Sequence, residues 1–500
     1  MSPARYLPVS YLKANAAATP SALAVLDPNR TLTFAELLDS VNGAAASLGD
    51  TGLKVGEVAA VQLPNVWEFA VLELAIPLLG AVVMPLPLTL GEAELTDTLA
   101  RSGASMLLTG GSAEHASARA VAERLQVRII DAHEVARKSA DGPVRPPAPE
   151  PDRVVEIALT SGTTGMPKLA SLTAGVKQAT FEGFTSRLGV RAGDRVLAMS
   201  PLMQGIGGMC LLCLRSGAAL VMLRQARFTP EHTLEVAESS AATHLIGVPT
   251  NVIRMLASPA LEGSRLRARV TAVAGAPMPP DVAQSWEERT RSRLCIFYGS
   301  MDAGQLAVGS PDDPAGKRWN SVGRPHDSCE VLICAPGGGP LPAGEVGEIC
   351  MRGPTVQPRY WGESSGPTGP DGWAHMGDLG FIDGDGYLHV AGRLKDIVIR
   401  GGTNINPYEV EAALRQHPAV ADVCVVGKPD PDLGERVMAF VVPRANAALD
   451  LAALRDFMSA RQMARYKWPE FLAVVDEIPL AGPGKVNRRA LRDRAESTAC

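Results

Sequence analysis

The sequence predicts an α/β protein with a large N-terminal domain of βαβ-type sheets, a small β-subdomain and a small α+β domain at the C-terminus. Short apolar segments alternate with segments of helical spacing over roughly the first three hundred residues, which is typical of parallel sheets. From about Asn320 the chain changes to short β segments with many turns, and a compact α+β pattern begins beyond Arg393. Its length of 500 residues also exceeds one ordinary hydrophobic core, so at least two domains are expected.

Composition argues against two classes of partner. The net charge is −5 and no Lys/Arg-rich run offsets it, so we expect no nucleic-acid partner. The most apolar stretch, residues 69–88, contains Glu73 and three prolines and is therefore a poor membrane span. Residues 1–10 lack the charged-then-apolar pattern of a secretory signal, so a cytoplasmic protein is expected. The sequence makes no prediction of oligomeric state.

The first elements alternate between helix and strand. Residues 9–18 have helical spacing, and residues 23–26 have the pattern of a strand. Thr33 is in position to cap a helix that starts at Phe34, with Glu36 at capping-box distance. The alternation continues with strands at 58–63, 80–85, 105–109 and 127–131 and a helix at 67–79. Residues 138–151, rich in Pro, Ala and charge, form a predicted linker.

A loop rich in glycine and hydroxyl groups follows the apolar strand predicted at 154–159. The loop sequence is LTSGTTGMPK, and it offers a ligand the residues Thr160, Ser161, Gly162, Thr163, Thr164, Gly165 and Lys168. Glycines let backbone N–H groups approach a phosphate, hydroxyls add donors, and the lysine adds a mobile positive charge. The spacing is not that of a Walker loop. It predicts a nucleotide-phosphate site, with a polar surface loop that binds nothing as the alternative.

Further strands in the large domain each end in a Gly/Pro-rich turn. They are predicted at 195–200, 243–248, 270–274 and 293–297, with a glycine-rich turn at 201–208 and a helix from Met209. Ligands of open α/β sheets bind beyond the carboxyl ends of the strands, which is where these turns lie. Cys210 and Cys213 form an isolated C-x-x-C within an apolar run, which indicates core packing and not a zinc site.

The C-terminal unit has its own strands and helices. Strands are predicted at 397–399, 423–426, 438–442 and 471–475, with helices at 407–416 and 451–460. We therefore predict an N-terminal domain at 1–394 and a C-terminal domain at 395–500.

Six blocks, in order, give the sequence a resemblance to the ANL superfamily of adenylate-forming enzymes, which includes the AMP-forming acyl- and aryl-CoA synthetases. The resemblance covers nearly the whole chain. The blocks are TSGTTGMPK, Gly275-Ala276-Pro277, YGSMD at 298–302, WAHMGD at 373–378, the stretch 392–411 and GKVNR at 484–488. One block alone would be weak evidence for the family, but six blocks in the family's order are specific evidence.

The resemblance implies that ATP and Mg²⁺ activate a carboxylic acid as an acyl adenylate, and that the acyl group then passes to CoA with release of AMP. The catalytic residues it implies are Lys485, Lys168 and Thr163. The remaining ATP contacts it implies are Gly275, Ala276, Pro277, Tyr298, Gly299, Ser300, Met301, Asp302, Asp378 and Arg393. Asp302 and Thr163 would hold Mg²⁺. Without the resemblance, Tyr298 would be read as a core aromatic, Asp378 and Arg393 as a capped turn and a surface ion pair, and Lys485 as a solvated side chain.

Two departures from the family pattern are notable. Asp302 replaces the usual glutamate, which shortens the arm of the metal-binding carboxylate, and Met301 replaces a threonine that donates to phosphate. Met301 is also the main feature that favours a catalytically silent nucleotide-binding homologue.

The same resemblance predicts the acyl pocket and the thiol site. The predicted pocket residues are Met203, Gln204, Gly205, Gly207, Gly208, Val248, Gly275, Ser300 and Gln305. Glycines and few polar groups favour an aromatic or cyclic acid, with a medium-chain or alicyclic acid close behind. Lys395 resembles the hinge of a mobile C-terminal domain, and Gly401-Gly402 resemble the strand presented to the thiol. A separate carrier protein is the alternative acceptor to CoA.

Overall fold

The computed structural model describes residues 9–140, 142–148, 150–160, 166–224, 228–301, 303–336, 338–445, 447–479 and 486–497. The chain divides into two compact units. The first comprises residues 1–331 and 351–375, and the second comprises residues 332–350 and 376–500. The division at 394/395 expected from the sequence stays a prediction.

The strands, numbered in chain order, are β1 Leu23–Asp27, β2 Arg30–Thr33, β3 Val58–Gln62, β4 Val82–Pro85, β5 Met106–Thr109, β6 Arg128–Asp131, β7 Val154–Thr160, β8 Lys168–Thr173, β9 Arg195–Ala198, β10 Ala219–Met222, β11 His244–Gly247, β12 Val270–Val273, β13 Arg293–Ser300, β14 Gly304–Val308, β15 Arg324–Pro325, β16 Glu330–Cys334, β17 Gly347–Arg352, β18 Ala374–Ile382, β19 Leu388–Arg393, β20 Val398–Arg400, β21 Thr403–Ile405, β22 Val420–Asp430, β23 Gly434–Pro443 and β24 Phe471–Val474.

The helices are α1 Ser10–Ala18, α2 Phe34–Asp50, α3 Trp67–Leu78, α4 Glu92–Ser102, α5 Ala116–Arg124, α6 Ala132–Ala136, α7 Ala174–Leu188, α8 Gly205–Cys210, α9 Pro230–Ser239, α10 Pro249–Ala257, α11 Pro280–Thr290, α12 Ala315–Asn320, α13 Pro407–Leu414, α14 Leu451–Ala460 and α15 Arg488–Ser497. None of the helices in the described part of the chain has the length and apolarity that crossing a bilayer requires.

Two large sheets organise the first unit, and both are mainly parallel. One has the order β15-β14-β13-β12-β11-β9-β10-β1-β2, and the other has the order β6-β5-β3-β4-β7-β8. The pairs formed among strands β9 to β13 are all parallel, whereas β14 is antiparallel to β13 and β8 is antiparallel to β7. The strands β3 and β4 are buried throughout, as expected for parallel strands covered by helices on both faces. The predicted α/β class with βαβ-type sheets is confirmed.

The second unit contains a sheet of its own. Strands β21-β20-β23-β22 form its main path, and β24 pairs in parallel with β23. Helices α13 and α15 pack against β22, so this unit is α+β as predicted. A separate four-stranded sheet, β16-β17-β18-β19, corresponds to the predicted small β-subdomain.

Local signals in the sequence explain several boundaries. Thr33 caps α2 through the N–H of Glu36, and the Glu36 carboxylate accepts from the Thr33 N–H at 2.8 Å, which completes the predicted capping box. The thiols of Cys210 and Cys213 are buried in the core, and burial raises the pKa of both. Their predicted role in core packing is confirmed.

Two boundaries predicted from the sequence are wrong. Residues 205–208 begin helix α8 and are not a turn, and a short 3-10 helix at Leu211–Ser216 follows. Strand β13 continues through Tyr298 and Gly299 to Ser300 and does not end at Phe297. It extends because β14, which the sequence did not reveal, pairs with it.

Candidate active site

The stem of the predicted phosphate loop is a hairpin between β7 and β8. Thr160 pairs directly with Lys168 at the last step of the ladder. The loop residues Ser161, Gly162, Thr163, Thr164 and Gly165 lie outside the described residues. Strand β7, which the sequence predicted, therefore ends where the loop begins, and Lys168 is the first residue of β8 after the loop.

The stem of this loop is held from both sides. The guanidinium of Arg101 on α4 donates to the carbonyl of Pro167, and its Nε donates to Asp97 at 2.8 Å. On the other side, the segment 359–361 runs along β8, where the N–H of Trp361 donates to the carbonyl of Leu169 at 2.7 Å. These contacts fix the backbone immediately after the loop.

Segment 359–361 also positions the ammonium group of Lys168. Its Nζ lies 3.2 Å from the hydroxyl of Tyr360 and 4.6 Å from the centre of the Tyr360 ring. A cation over an aromatic face is attracted by the ring quadrupole. The sequence analysis missed Tyr360, which is 192 residues from Lys168, and no local signal could have paired the two.

The YGSMD block occupies the end of β13 and the turn that follows. Tyr298 and Gly299 are strand residues, and the hydroxyl of Ser300 accepts the N–H of Ala303 at 2.9 Å. A Cβ added to Gly205 would lie 2.7 Å from the Sδ of Met301, so Met301 packs on the first residue of α8. Asp302 lies outside the described residues.

Helix α8 and the turn after β12 form adjoining walls of the predicted acyl pocket. Gly275 has φ +85°, and a Cβ there would lie 2.9 Å from Ile206 Cδ1 and 3.9 Å from Val248 Cγ1. A Cβ at Gly207 would lie 2.0 Å from the carbonyl oxygen of Pro201, so only glycine fits that close approach. These contacts bring several predicted pocket residues together and add Ile206, which was not predicted.

Other predicted residues border the same region of the chain. Met203 is buried, Gln204 is the residue before α8, and Gly208 donates its N–H to the Gln204 carbonyl at 2.8 Å. Ala276 is half-buried and Pro277 is exposed, and both directly follow Gly275. Gln305 lies on β14, opposite Gly299.

Asn65 was missed as a positioning residue for this turn. Its Nδ2 donates to the carbonyl of Ser200 at 3.2 Å, and its Oδ1 accepts the N–H of Leu202 at 2.8 Å. The amide therefore binds the backbone on both sides of Pro201. A Pro64-Asn65 pair directly after a strand was the available signal.

In the second unit, Asp378 and Arg393 face each other across β18 and β19. They are directly paired in the ladder, and Arg393 Nε lies 3.1 Å from Asp378 Oδ1. Asp378 is 9% exposed. The two residues that the resemblance assigns to ATP are thus neighbours, although their contacts with ribose stay predictions.

The segment around the predicted hinge has a defined local structure. Lys395 lies in a 3-10 helix at Leu394–Asp396, and its carbonyl accepts from Arg492 Nη2 at 2.9 Å. Gly401 and Gly402, with φ +55° and +79°, form the two-residue turn between β20 and β21. Positive φ at both positions is the geometry of a tight hairpin that favours glycine. A cleft of about 630 Å³ is lined by Lys395, Gly401, Gly402, Leu433 and Arg492, among others.

A buried charge network anchors the chain just after Lys485, which itself lies outside the described residues. Arg488 Nη2 lies 2.7 Å from Glu411 Oε1, and Arg488 Nε lies 3.5 Å from Asp396 Oδ2. The hydroxyl of Tyr408 donates to Asp396 at 2.9 Å, and the Arg488 guanidinium lies 4.2 Å from the Tyr408 ring. Burial opposes the charge of Arg488, but the Glu411 carboxylate together with Cys424 and Tyr408 outweighs burial and raises the Arg488 pKa.

The donor set fits the group that the resemblance implies. A carboxylate and a hydroxyl, from Asp302 and Thr163, are the hard oxygen ligands that suit Mg²⁺. Gly275 adds no side chain beside Ile206, where a Cβ would be in close contact, and Lys168 is held at the end of the loop stem. These residues therefore supply groups that suit a phosphate, a divalent cation and a carboxylic acid.

Comparisons with known proteins agree with this chemistry. A family model described as AMP-binding enzyme matches residues 12–361, and one described as AMP-binding enzyme C-terminal domain matches residues 409–485. A feruloyl-CoA synthase from Amycolatopsis sp is 34% identical over 482 residues, covering 95% of this chain and 96% of that protein. A salicylyl-CoA synthase / salicylate adenylyltransferase from Streptomyces sp is 33% identical, with coverage of 97% and 93%.

A solved structure extends the agreement to the fold. The ATP-bound crystal structure of MatB from Rhodopseudomonas palustris superposes with a TM-score of 0.89 at 26% identity, covering 97% of this chain and 99% of that one. The chain therefore belongs to the AMP-binding enzyme family of adenylate-forming enzymes, as an acid–thiol ligase that uses ATP, Mg²⁺ and CoA.

Proposed function

We propose that this ligase activates an aromatic or cyclic carboxylic acid and transfers the acyl group to CoA. The observation that carries the choice of acid is the wall made by Gly205, Ile206, Val248, Gly275 and Met301. Its side chains are apolar and its glycines add no bulk of their own, which suits an apolar ring better than a small polar acid.

Two relatives support an aromatic acid. The feruloyl-CoA synthase and the salicylyl-CoA synthase are named for aromatic acids, and each aligns with almost the whole chain. A medium-chain or alicyclic acid is the second candidate, because the same apolar wall would accept it.

In the first half-reaction, the substrate carboxylate attacks the α-phosphorus of ATP and pyrophosphate leaves. Such a reaction is accelerated mainly by positioning and by neutralising charge that develops on the phosphates. We assign the β- and γ-phosphates to the loop at 160–165 and Lys168, adenine to Tyr298, and ribose to Asp378 and Arg393. Mg²⁺, held by Asp302 and Thr163, would offset phosphate charge. Lys485 would contact the substrate carboxylate and the α-phosphate.

In the second half-reaction, the thiolate sulfur of CoA attacks the acyl carbon, and AMP leaves with the electron pair of the broken bond. We assign Lys395 to the hinge that lets the C-terminal domain, taken from residue 395, reorient between the two steps. The Gly401-Gly402 turn would border the path of the thiol, because it presents backbone without side chains.

Acid-dependent exchange of labelled pyrophosphate into ATP tests the first step. We expect exchange with benzoate-, cinnamate- or naphthoate-type acids, and AMP plus acyl-CoA once CoA is added. Exchange with amino acids or short aliphatic acids alone would refute the proposed substrate class.

The acceptor needs its own comparison. CoA and a phosphopantetheinylated carrier protein should be supplied separately to enzyme already charged with acyl adenylate. We expect rapid thioester formation with CoA, and faster transfer to the carrier would instead identify a carrier-loading ligase. Since ATP and CoA are both metabolites of the cytoplasm, we also propose that the enzyme acts there.

A further inference from the structure

The side chain of Gln305 is buried, and neither of its polar atoms has a hydrogen-bond partner within the described part of the chain. Gln305 is 6% exposed, and both Oε1 and Nε2 lack a partner among the described residues. A glutamine amide has two donors and an oxygen acceptor, and leaving such groups buried and unsatisfied is costly. The backbone carbonyl of Gln305 accepts from Thr355 Oγ1 at 2.9 Å, so the strand is anchored while the amide is not.

The strand register places this side chain on the same face as the acyl pocket. Gln305 pairs directly with Gly299, after a bulge in β14 that shifts the register between Tyr298 and Gly299. Directly paired residues share a face, and so do Gly299 and Phe297, which are two residues apart. The Phe297 ring packs edge-on against Phe184 of α7 at 5.2 Å, and both rings belong to the buried apolar cluster that contains Met203 and packs against Ile206, two residues of the pocket region.

Glycine and apolar residues surround the end of this hairpin. Gly299 has no side chain opposite Gln305, and a Cβ there would lie 2.7 Å from the Gln305 Cα. Ser300 pairs with Gly304 at the next step, and Met301, in the turn, packs on Gly205 of α8. The amide therefore lies near the end of a hairpin where most neighbouring residues are glycine or apolar.

We propose that Gln305 is a specificity-determining residue, whose amide binds a hydroxyl group carried by the ring of the acid. This inference rests on the proposed function. A hydroxyl both donates and accepts, so it pairs with Oε1 and Nε2 together. An unsubstituted ring would leave the amide unpaired, and a charged substituent would be buried without a counter-ion. The substrate class is thus narrowed to hydroxylated aromatic or cyclic acids.

The test compares matched acids on the wild-type enzyme and on Gln305→Met, which keeps the length of the side chain and removes the amide. The probes are benzoate, cinnamate and 2-naphthoate, each beside its ring-hydroxylated derivatives, with kcat/KM measured by pyrophosphate exchange. We expect the wild type to prefer one hydroxylated acid over its parent by about 10-fold or more. In Gln305→Met the ratio should fall to about one, mainly because the parent acid improves.

A stability measurement keeps the proposal testable without any substrate. Removing an unpaired buried amide should raise the Tm of Gln305→Met by roughly 2 °C. Gln62→Met is the matched control, since Gln62 is also buried but donates to the carbonyl of Pro87 at 3.2 Å. That variant should lose stability and keep the wild-type preference among acids.

The outcomes distinguish a failure of the proposed function from a failure of the role assigned to Gln305. If no aromatic or cyclic acid supports exchange, the proposed function fails. If such acids are activated but each parent acid equals its hydroxylated derivatives, or Gln305→Met keeps the preference, only the role of Gln305 is refuted. Gln305→Asn retains the amide on a shorter arm and should recover part of the preference for the hydroxylated acid. If Gln305→Asn has the Tm of the wild type but shows no such preference, the role of Gln305 is also refuted.

Discussion

Each unit of the molecule contains a buried charge cluster with a member close in sequence to a predicted catalytic lysine, and the two clusters differ in charge balance. In the first unit, Lys177 on α7 contacts Glu73 at 3.1 Å and also Glu156 on β7, the strand that leads to the phosphate loop. In the second unit, Arg488 contacts Glu411 and Asp396, three residues after Lys485.

The balance of charge sets how each cluster responds to pH. Arg492 lies 3.6 Å from Asp396, and Arg415 contacts both Glu411 and Asp422, so the second cluster has three cations for three carboxylates. The first has one cation for two carboxylates, and burial followed by the charge of Glu156 raises the pKa of Glu73 to about 8. The second cluster should hold its geometry across neutral pH, whereas the first should weaken as Glu73 ionises.

The largest effect is expected from breaking the balanced cluster. Arg488→Met leaves Glu411, which is 1% exposed, without its closest cation and should destabilise the second unit by about 3–5 kcal/mol. Hydrogen exchange resolved along the chain should show lost protection in β22 and α13. Arg415→Met is the matched control, because Arg415 also contacts Glu411, at 3.4 Å, but is partly exposed. It should cost less than about 1 kcal/mol. Equal losses in both variants would refute a dominant role for Arg488.

Lys485, which precedes Arg488 by three residues in the sequence, should matter for one chemical step. Lys485→Ala should lower acyl-adenylate formation by about 10²–10³-fold, because a charge that stabilises the transition state is lost. An acyl adenylate supplied chemically should still be converted to thioester. Lys467→Ala removes a lysine from the same unit whose Nζ pairs with Glu409 at 2.6 Å, and it should leave both steps intact. A stalled conversion of supplied adenylate in Lys485→Ala would show that its role is different.

Lys395, the predicted hinge residue, should matter for the other chemical step. Lys395→Pro fixes φ within the 3-10 helix at Leu394–Asp396 and should slow thioester formation by roughly 10-fold or more while sparing adenylation. Lys395→Ala, which keeps backbone freedom, should be close to wild type. Single-turnover measurement of each half-reaction distinguishes them, and equal losses in both halves would argue against a hinge.

The unbalanced cluster should make stability depend on pH. Glu73 has a folded-state pKa above its unfolded value, so its contribution is present at low pH and is lost as pH rises towards 8. Between about pH 6 and pH 8 the free energy of unfolding should fall by roughly 2 kcal/mol from this group. In Glu73→Gln that decline should be absent, as followed by urea unfolding at each pH. The same slope in wild type and variant would assign the pH dependence to other groups.

Some features of the fold and of the candidate site could be predicted from the sequence, and others could not. Local patterns sufficed for the α2 capping box, for the strand leading into the phosphate loop and for the neighbouring positions of Asp378 and Arg393. Each depends on residues close in sequence or on the order of motifs in a known family.

Long-range packing determined what the sequence missed. The glycines at 205, 207 and 208 indicated a turn, yet close packing against the backbone at Pro201 accommodates them in helix α8. The bulge in β14 determines which face carries Gln305, and a bulge leaves little trace in the alternation of side chains. Tyr360 and Lys168 meet only because segment 359–361 aligns with β8.

The smallest effect is expected at Tyr360, where a hydroxyl and a ring hold the Lys168 ammonium. Tyr360→Phe removes the hydrogen bond at 3.2 Å but keeps the aromatic face, so the KM for ATP in pyrophosphate exchange should rise only about 3- to 5-fold. Tyr360→Leu, which loses both contacts, should have a larger effect. A double-mutant cycle with Lys168→Ala provides the control, because Tyr360→Phe should add nothing once the ammonium is gone. Additive losses in the double variant would mean that Tyr360 acts on the loop through the backbone of segment 359–361 and not through Lys168.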